Sequence, residues 1–375
     1  MIPDARHPRA GLDLDAAAHP AASLTRRAHT GATSVDAVDP VSALRRVAFL
    51  LERELAESHR VKAYRRAALR LASLSPAEIA QRVQAGTLTQ LPDVGPKTAA
   101  VASQAAAGDV PDYLAELEAR AQAPLLPGGE TVRGWLRGDL HAHSDWSDGT
   151  TAIEEMAAAA VAVGHDYLAL TDHSPRLTVA RGLSPDRLRE QLDVVANLNA
   201  ELAPFRILTG IEVDILEDGG LDQEDELLAQ LDVVVASVHS KLRMDAAAMT
   251  KRMVRAVSNP RVDVLGHCTG RLITGGRGTR PESQFDAPAV FQACRTHDVA
   301  VEINSRPERR DPPTRLLTLA IETGCRFSID TDAHAPGQLD FLDYGCERAQ
   351  AAGLTRDRIV NALAVDELLA WTRAP

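Results

Sequence analysis

Aromatic side chains and cysteines are both scarce in this sequence. Phe, Trp and Tyr make up 3% of its 375 residues, which leaves few planar rings on which single-stranded bases could stack. The four cysteines, Cys268, Cys294, Cys325 and Cys346, form no Cys-x-x-Cys pair, and the N-terminus has no basic-then-apolar signal pattern. Both absences argue against a disulfide-stapled secreted fold and lead us to expect a reduced cytoplasmic compartment. No apolar run approaches the roughly 18 residues that a membrane span requires. An excess of positive charge is missing too: the net charge is −11, so nucleic acid is not held by the chain's overall charge, although a local basic patch is still available. What remains is length enough for two or three domains, with apolar content suited to a well-buried core.

Residues 1–38 are rich in Ala, Asp, His, Pro and Thr without helical or strand periodicity, and are expected to form a disordered tail. His7, His19 and His29 lie there, too widely spaced to act together as ligands. A helical module is expected over 39–120. Its first helix runs near Pro40 to Ser58, with Val41, Leu44, Val47, Ala48, Leu51 and Leu55 at helical spacing. The second, around Val61 to Leu74, sets Lys62, Arg65, Arg66 and Arg70 opposite an apolar stripe. Between Leu44 and Arg70 the Lys and Arg at 45, 46, 53, 60, 62, 65, 66 and 70 face only Glu52, Glu54 and Glu57, a local excess of +5. Alone, such a run describes a solvated face. It gains meaning from Leu91-Pro92-Asp93-Val94-Gly95-Pro96-Lys97-Thr98-Ala99, where a glycine turn directly precedes a helix start. Backbone N–H groups there face outward, ready for a phosphate, with the Lys97 ammonium beside them.

This segment resembles the hairpin of a helix-hairpin-helix motif, and Ala63-Tyr64-Arg65-Arg66-Ala67-Ala68 is similar to the matching stretch of the small N-terminal DNA-binding domain of family-X DNA polymerases. The resemblance spans about 80 residues and implies DNA contacts at Lys62, Arg65, Arg66, Gly95 and Lys97. It breaks at one place. Lyase-active members carry a Schiff-base lysine four residues after the position of Lys97, where this chain has Val101, and valine forms no imine. DNA binding without deoxyribose-phosphate lyase chemistry is therefore expected.

A linker is expected over 121–134, with Pro124, Pro127, Gly128 and Gly129. From Trp135 the pattern becomes regular. Apolar runs end at His141, Asp172, Glu212, His239, His267, Asn304 and Asp330, each followed by an amphipathic segment. Thr151 with Glu154 reads as a capping box for the first barrel helix, and Ser184 with Pro185 opens the second. Seven such units over 135–375 predict an α/β fold, a closed or nearly closed parallel (β/α)7 barrel.

The ionisable residues fall where such a barrel builds its active site. In Arg137-Gly138-Asp139-Leu140-His141-Ala142-His143, the alternation of a strand turns His141 and His143 to one face, and Asp148 follows across a short turn. Asp172 and His173 close the second strand, Glu212 the third, His239 the fourth, His267 the fifth, and Asp332 with His334 the seventh. C-terminal strand ends share one face of a βα barrel. Six of the twelve histidines gather there with Asp148, Glu212 and Asp332. Any one is explicable as a core or loop residue, but that explanation has to be repeated independently at every strand. Nine imidazole and carboxylate groups exceed the needs of one four-coordinate zinc and suit a cluster of three ions.

Asp-Leu-His-x-His-Ser, Thr-Asp-His-Ser, Gly-Ile-Glu, Ser-Val-His, Gly-His and Asp-x-His occur in the order seen in the polymerase-and-histidinol-phosphatase (PHP) superfamily. The C-terminal PHP domain of bacterial family-X polymerases is the nearest likeness, through His143-Ser144-Asp145-Trp146-Ser147-Asp148-Gly149 and Thr269-Gly270-Arg271. The resemblance covers 135–375 and implies a distorted PHP barrel. It also implies three divalent ions: one held by His141, His143, Glu212 and Asp332, a second by Glu212, His239 and His267, and a third by Asp148, His173 and His334. Imidazole with carboxylate suits zinc, manganese and iron alike.

Around that set, Asp172 is expected to orient a ligand histidine rather than bind metal. Lys241, Arg271 and Arg306 follow strand ends and are candidates to clamp phosphate oxygens, with surface salt bridges as the competing reading. Trp146, between two ligands, either stacks a base or sugar or covers the site. Cys268 beside His267 is expected to be a small buried side chain, and His165 and His297 precede strands at the opposite end. The expected activity is metal-dependent phosphodiester hydrolysis on DNA, as a 3′–5′ exonuclease or repair nuclease. A small phosphomonoester such as histidinol phosphate or a nucleotide is the alternative substrate, and a non-catalytic DNA-binding adaptor would show a broken ligand set. Between hairpin and barrel there is no room for the palm and fingers of a polymerase. Protein partners are not indicated, nor is a membrane.

Overall fold

A computed structural model describes residues 39–276 and 278–373; the tail expected over 1–38 lies outside them. Helix α1 (Pro40–Arg53) starts where Asp39 caps it: the carboxylate accepts from the N–H groups of Val41 and Ser42, and Pro40 supplies the fixed φ of a first turn. It stops short of Ser58 because Leu55 takes a left-handed φ of 55°. Helix α2 (Ser58–Ala72) crosses it, α3 (Pro76–Gln84) opens on a Ser75/Glu78 capping box, and α4 (Pro96–Ala106) and α5 (Asp112–Ala121) complete the module. Leu44, Val47, Leu51, Ala67, Leu71, Ala102 and Leu117 fill its interior.

The stretch expected as a linker is seated on the protein. Its short helix α6 (Glu130–Arg133) buries Val132, the Leu125 N–H donates to Asp343, and a Cβ at Gly129 would lie 2.4 Å from the backbone nitrogen of Glu347. Only glycine permits that approach.

The barrel follows. Strands β1 (Gly138–Ala142), β2 (Tyr167–Leu170), β3 (Arg206–Asp214), β4 (Val233–Ser237), β5 (Val264–Leu265), β6 (Ala300–Asn304) and β7 (Phe327–Asp330) lie parallel in sequence order. Between them run α7 (Ile153–Ala162), α8 (Pro185–Leu202), the single turn α9 (Asp225–Leu228), α10 (Ala246–Val257), α11 (Ala287–Thr296) and α12 (Thr314–Thr323); α13 (Leu342–Ala351) and α14 (Val365–Thr372) end the chain. Strand β3 changes partner midway, pairing with β2 through Arg206–Thr209 and with β4 through Gly210–Asp214. Between β1 and β7 there is one bridge at the mouth, Ala142 to Ala333, and lower down Asn361 spans the seam by donating to the carbonyls of Gly138 and Ile329. The barrel is thus nearly closed.

Ser184 caps α8 as expected, accepting from the Arg187 N–H. The capping box expected at Thr151 does not form. Helix α7 starts at Ile153 without a side-chain cap, because Thr151 is drawn into the preceding loop, where its carbonyl accepts from Asp145. No helix among the described residues is long and apolar enough to cross a membrane.

The module is not a separate bead. One continuous apolar cluster runs from Leu44 and Leu51 of α1 into Ile153, Met156 and Ala160 of α7 and Leu168 of β2.

Candidate metal centre

Each ligand candidate comes from the C-terminal end of a strand or the turn just after it. His141 and His143 leave β1 on one face, Asp148 stands in the following turn, and His173 follows β2. Glu212 lies on β3, His239 follows β4, His267 follows β5, and Asp332 and His334 follow β7. All nine side chains converge. Glu212, 1% exposed, is their hub: its carboxylate lies 3.4 Å from His141 Nε2, 3.6 Å from His143 Nε2, 2.8 Å from His173 Nδ1, 3.2 Å from His239 Nε2 and 2.9 Å from His267 Nε2. Asp332 is 3.5 Å from both His143 and His334, and Asp148 is 3.5 Å from His173 and 3.3 Å from His334.

Three overlapping groups have potential ligand atoms within 4.8 Å of one another: His143, Asp148, His173 and His334; His141, His143 and Asp332; His173, Glu212 and His239. His143 and His173 each belong to two of them, so the sharing is wider than the three sets the resemblance implies. A donor set this dense suits a cation. His141 Nε2, both ring nitrogens of His143, His173 Nδ1, His267 Nδ1 and Glu212 Oε2 are buried without a hydrogen-bond partner, a costly state unless a cation takes their lone pairs.

Charge is divided within the cluster: although burial opposes it, Glu212 and Glu302 raise the His141 pKa well above the usual imidazole range, and Glu212 and Asp214 raise that of His239 to about 9. Burial opposes charge on Glu212, yet the surrounding His239, His141 and His173 hold its pKa well below the usual carboxylate range. Asp332 is held well down too, burial being outweighed by the nearby His143 and by the guanidinium groups of Arg309 and Arg306. Burial keeps His143 neutral, with His334 and His173 adding repulsion, and lowers His267 with help from Arg309. The carboxylates are ionised and these two imidazoles hold free lone pairs.

A further shell fixes ring orientation. His141 Nδ1 lies 2.6 Å from Glu302, and His239 Nδ1 lies 2.5 Å from Asp214, which leaves each Nε2 facing Glu212. His334 Nδ1 lies 2.9 Å from the Asp332 carbonyl, with Nε2 toward Asp148. Asp332 is itself held by Arg309 Nε at 3.1 Å and Asn304 Nδ2 at 3.2 Å. Of these supports, Glu302, Asp214, Asn304 and Arg309 are additions from the structure. A signal for two of them was present: Glu302 and Asn304 are the polar positions of the otherwise apolar β6 strand, where a buried carboxylate demands partners. Arg309 had none, standing among the arginines of Arg306-Pro307-Glu308-Arg309-Arg310.

Three expectations shift. Asp172 orients no histidine; its carboxylate accepts from the N–H and hydroxyl of Ser144, the hydroxyl of Ser147 and the amide of Gln191, and so braces the turn that carries Asp148. Arg271 donates to the carbonyls of Arg309 and Arg310 and to Glu282, the structural reading of this side chain. Lys241 is 64% exposed, and among the described residues its ion pair is with Glu217 at 4.0 Å. Arg306 does reach the centre, donating to the Asp332 carbonyl at 2.9 Å and lying 3.0 Å from His334 Nδ1. Arg309 Nη1 is buried with no partner beside the same carboxylates. Trp146 is half-buried, packed on apolar side chains, with the Arg187 guanidinium 6.0 Å from its ring centre. Cys268 is buried, and its Sγ faces Asp311.

In the module, Lys62, Arg66, Gly95 and Lys97 are exposed, and Arg66 stands 3.7 Å from Asp93 of the hairpin, so α2 and the hairpin share one surface. The Gly95 N–H donates to Thr98 Oγ1, which removes one of the donors expected for phosphate. Gly95 has an ordinary φ of −92°, and a Cβ there would meet nothing within 4 Å, so the fold itself makes no demand for glycine. Arg65 points elsewhere: it is 14% exposed, paired with Glu52 at 2.5 Å, and donates to Thr150 Oγ1.

The geometry agrees with sequence comparison. Residues 139–306 match the PHP domain, and residues 37–108 match a helix-hairpin-helix domain. The chain is 40% identical over 240 residues to the DNA polymerase/3′-5′ exonuclease PolX of Bacillus subtilis, a match covering 64% of this chain and 41% of that protein. It therefore spans about two fifths of that relative's length. It is 27% identical over 234 residues to a probable phosphatase of Thermoanaerobacter sp., covering 60% of this chain and 89% of that one. Among solved structures, the histidinol phosphate phosphatase of Lactococcus lactis superposes with a TM-score of 0.44 at 19% identity, covering 58% of this chain and 94% of that one. The chain thus carries, in order, a match to a helix-hairpin-helix domain and a match to a PHP domain.

Proposed function

We propose that the protein is a metal-dependent phosphoesterase that hydrolyses phosphodiester bonds in DNA, with three divalent ions held by His141, His143, Asp148, His173, Glu212, His239, His267, Asp332 and His334. One observation carries this reading: nine ionisable side chains meet around the buried Glu212 with orphaned donor atoms facing inward. Zinc, manganese and iron all suit these ligands. Bound there, divalent ions would supply positive charge against a phosphoryl oxygen and bring the pKa of a water down to about 7.

The chain's own groups have distinct tasks. Glu212 bridges. Glu302 and Asp214 hold His141 and His239 in register, and Asp172 keeps the Asp148 turn in place. Arg306 and Arg309 supply positive charge on one side of the cluster, and the unpartnered Nη1 of Arg309 can donate to a phosphate oxygen. DNA reaches the centre from the surface formed by Lys62, Arg66 and Lys97, where contacts are to the backbone and carry no sequence information.

A second reading keeps the centre and changes the substrate to a phosphomonoester such as histidinol phosphate or a nucleotide. The packing of Trp146 favours it, because this ring between two ligand candidates is half-buried against apolar side chains, with Arg187 beside it. Full-length protein assayed on 5′- and 3′-labelled oligonucleotides and on a panel of phosphomonoesters separates the two. Shortening of the 3′ end, with little turnover of the monoesters, is expected. Monoester turnover with intact oligonucleotides would overturn the DNA reading in favour of the second.

A further inference from the structure

The nine side chains of the proposed centre are not equally rooted. Seven are at most 13% exposed, whereas Asp148 is 37% and His334 20% exposed, and these two stand in loops. The helical module braces the contact that holds those loops together. The carbonyl of His334 accepts from the N–H of Thr150 at 2.8 Å and from its hydroxyl at 2.9 Å, which ties the two loops to each other. Arg65 of α2 donates to that same Thr150 hydroxyl. Its other nitrogen pairs with Glu52 of α1, and Glu52 Oε2 accepts from the N–H of Gly337, three residues beyond His334. One buried ion pair of the module therefore touches both loops at once.

That pair needs an explanation. The side chains of Glu52 and Arg65 are 8% and 14% exposed, and a buried ion pair adds little net stability compared with apolar side chains of the same volume. Arg53 to Asp340 and Arg45 to Glu155 already fasten α1 to the barrel, as does the shared apolar cluster. The position of Arg65, turned from the exposed Lys62 and Arg66 toward Thr150, is what stability leaves unexplained.

We infer that Glu52 and Arg65 are positioning residues for the outermost ion, the one held by Asp148 and His334, so that the helix-hairpin-helix module completes the metal centre. The inference rests on the reading of these side chains as a metal centre. It has a consequence for regulation. Lys62 and Arg66 lie on the same helix as Arg65, so DNA seated on α2 and the ion seated between the loops act on one rigid element. Coupling between two such sites is reciprocal: the ion tightens DNA binding as much as DNA tightens the ion.

The test is calorimetric titration of metal-free, full-length protein with Zn2+. Wild type is expected to take three equivalents. In Glu52→Gln/Arg65→Met, which removes both charges together, two equivalents keep their affinity and one weakens about tenfold, the usual effect of losing a group that orients a ligand. Arg65→Lys restores the charge beside Glu52 with one nitrogen in place of a fork; it recovers the melting temperature but not the affinity of that ion. A purely structural pair would restore both. A measurement on wild type needs no variant: amide exchange in 58–72 and at Gly337 slows when Zn2+ rises from two to three equivalents. Three ions bound with wild-type affinity by the variants, or exchange indifferent to the third equivalent, would overturn the inference while leaving the metal centre intact. Failure of wild type to bind any ion overturns both. The control Lys62→Ala/Arg66→Ala keeps all three ion affinities; normal DNA binding by that variant counts against the DNA reading alone.

Discussion

Alanine at position 337 tests how tightly the module is seated on the barrel. A Cβ there would lie 2.2 Å from the Phe49 carbonyl oxygen, 2.6 Å from Glu52 Cβ and 2.9 Å from the Arg53 nitrogen. Non-bonded carbon contacts settle near 3.5 Å, so α1 has to retreat by about 1 Å. Two of the three obstructing atoms are helix backbone, which cannot swing aside as the end of a long side chain does. Overpacking of this kind costs about 1–3 kcal/mol. Unfolding entropy of about 2.1 cal/mol/K per residue, over the roughly 330 residues described, gives about 0.7 kcal/mol per degree, so Gly337→Ala should lower the melting temperature by roughly 1.5–4 °C. Scanning calorimetry of the full chain reads this directly. Because α1 and α7 share one apolar cluster, the shift is expected in a single cooperative transition. A melting temperature unchanged within a degree, or a separate early transition for the module, would refute the reasoning.

Other consequences can be checked in parallel. His165 is 5% exposed with both ring nitrogens unpartnered, and burial, aided by Arg133, lowers its pKa to about 3. Its folded pKa lies below the unfolded value of about 6.5, so the unfolded chain gains a proton that the folded chain refuses, and stability falls as pH drops below about 6.5. The loss from this one group between pH 7 and 5 is about 2 kcal/mol, and denaturant melts of His165→Leu should show that much less acid destabilisation; an unchanged slope contradicts the assignment. Arg309→Met should lower kcat/KM by about a hundredfold, since it removes the clamp on Asp332 and the free Nη1; activity within threefold of wild type would mean that neither contact matters. Lys97→Ala should weaken DNA binding uniformly across sequences and reduce the slope of log affinity against log salt by about 1, whereas an unaltered slope would remove Lys97 from the interface.

Much of the barrel was legible because its strands are short apolar runs that end abruptly in ionisable residues, a pattern with no low-cost structural reading when it recurs at β1, β2, β3, β4, β5 and β7. The two halves of the surrounding shell were less visible. Glu302 supports a ligand histidine 161 residues away, and Asp214 one that follows the next strand, contacts that only the folded barrel makes. Arg309 does so from a loop where three arginines look alike. Arg271 and Arg65 illustrate the limit of charge counting: each follows a pattern that solvent-facing arginines share, and only the tertiary structure reveals carbonyls and carboxylates consuming their donors. Composition over 121–134, where Pro and Gly suggested a linker, did not show where the segment is seated. There Gly129 serves close packing against the backbone of α13, and Leu125 is pinned by Asp343. Thr151 carried the letters of a capping box, but the loop that presents Asp148 claimed its carbonyl first.

The central claim is that nine side chains around Glu212 trap a cluster of cations, and metal content measures it most directly. Elemental analysis of purified full-length protein beside Glu212→Gln, an isosteric change that removes the bridging charge, should find about three equivalents of divalent metal in wild type and at most one in the variant. A wild type with no bound metal, or a variant that retains all three equivalents, would contradict the account.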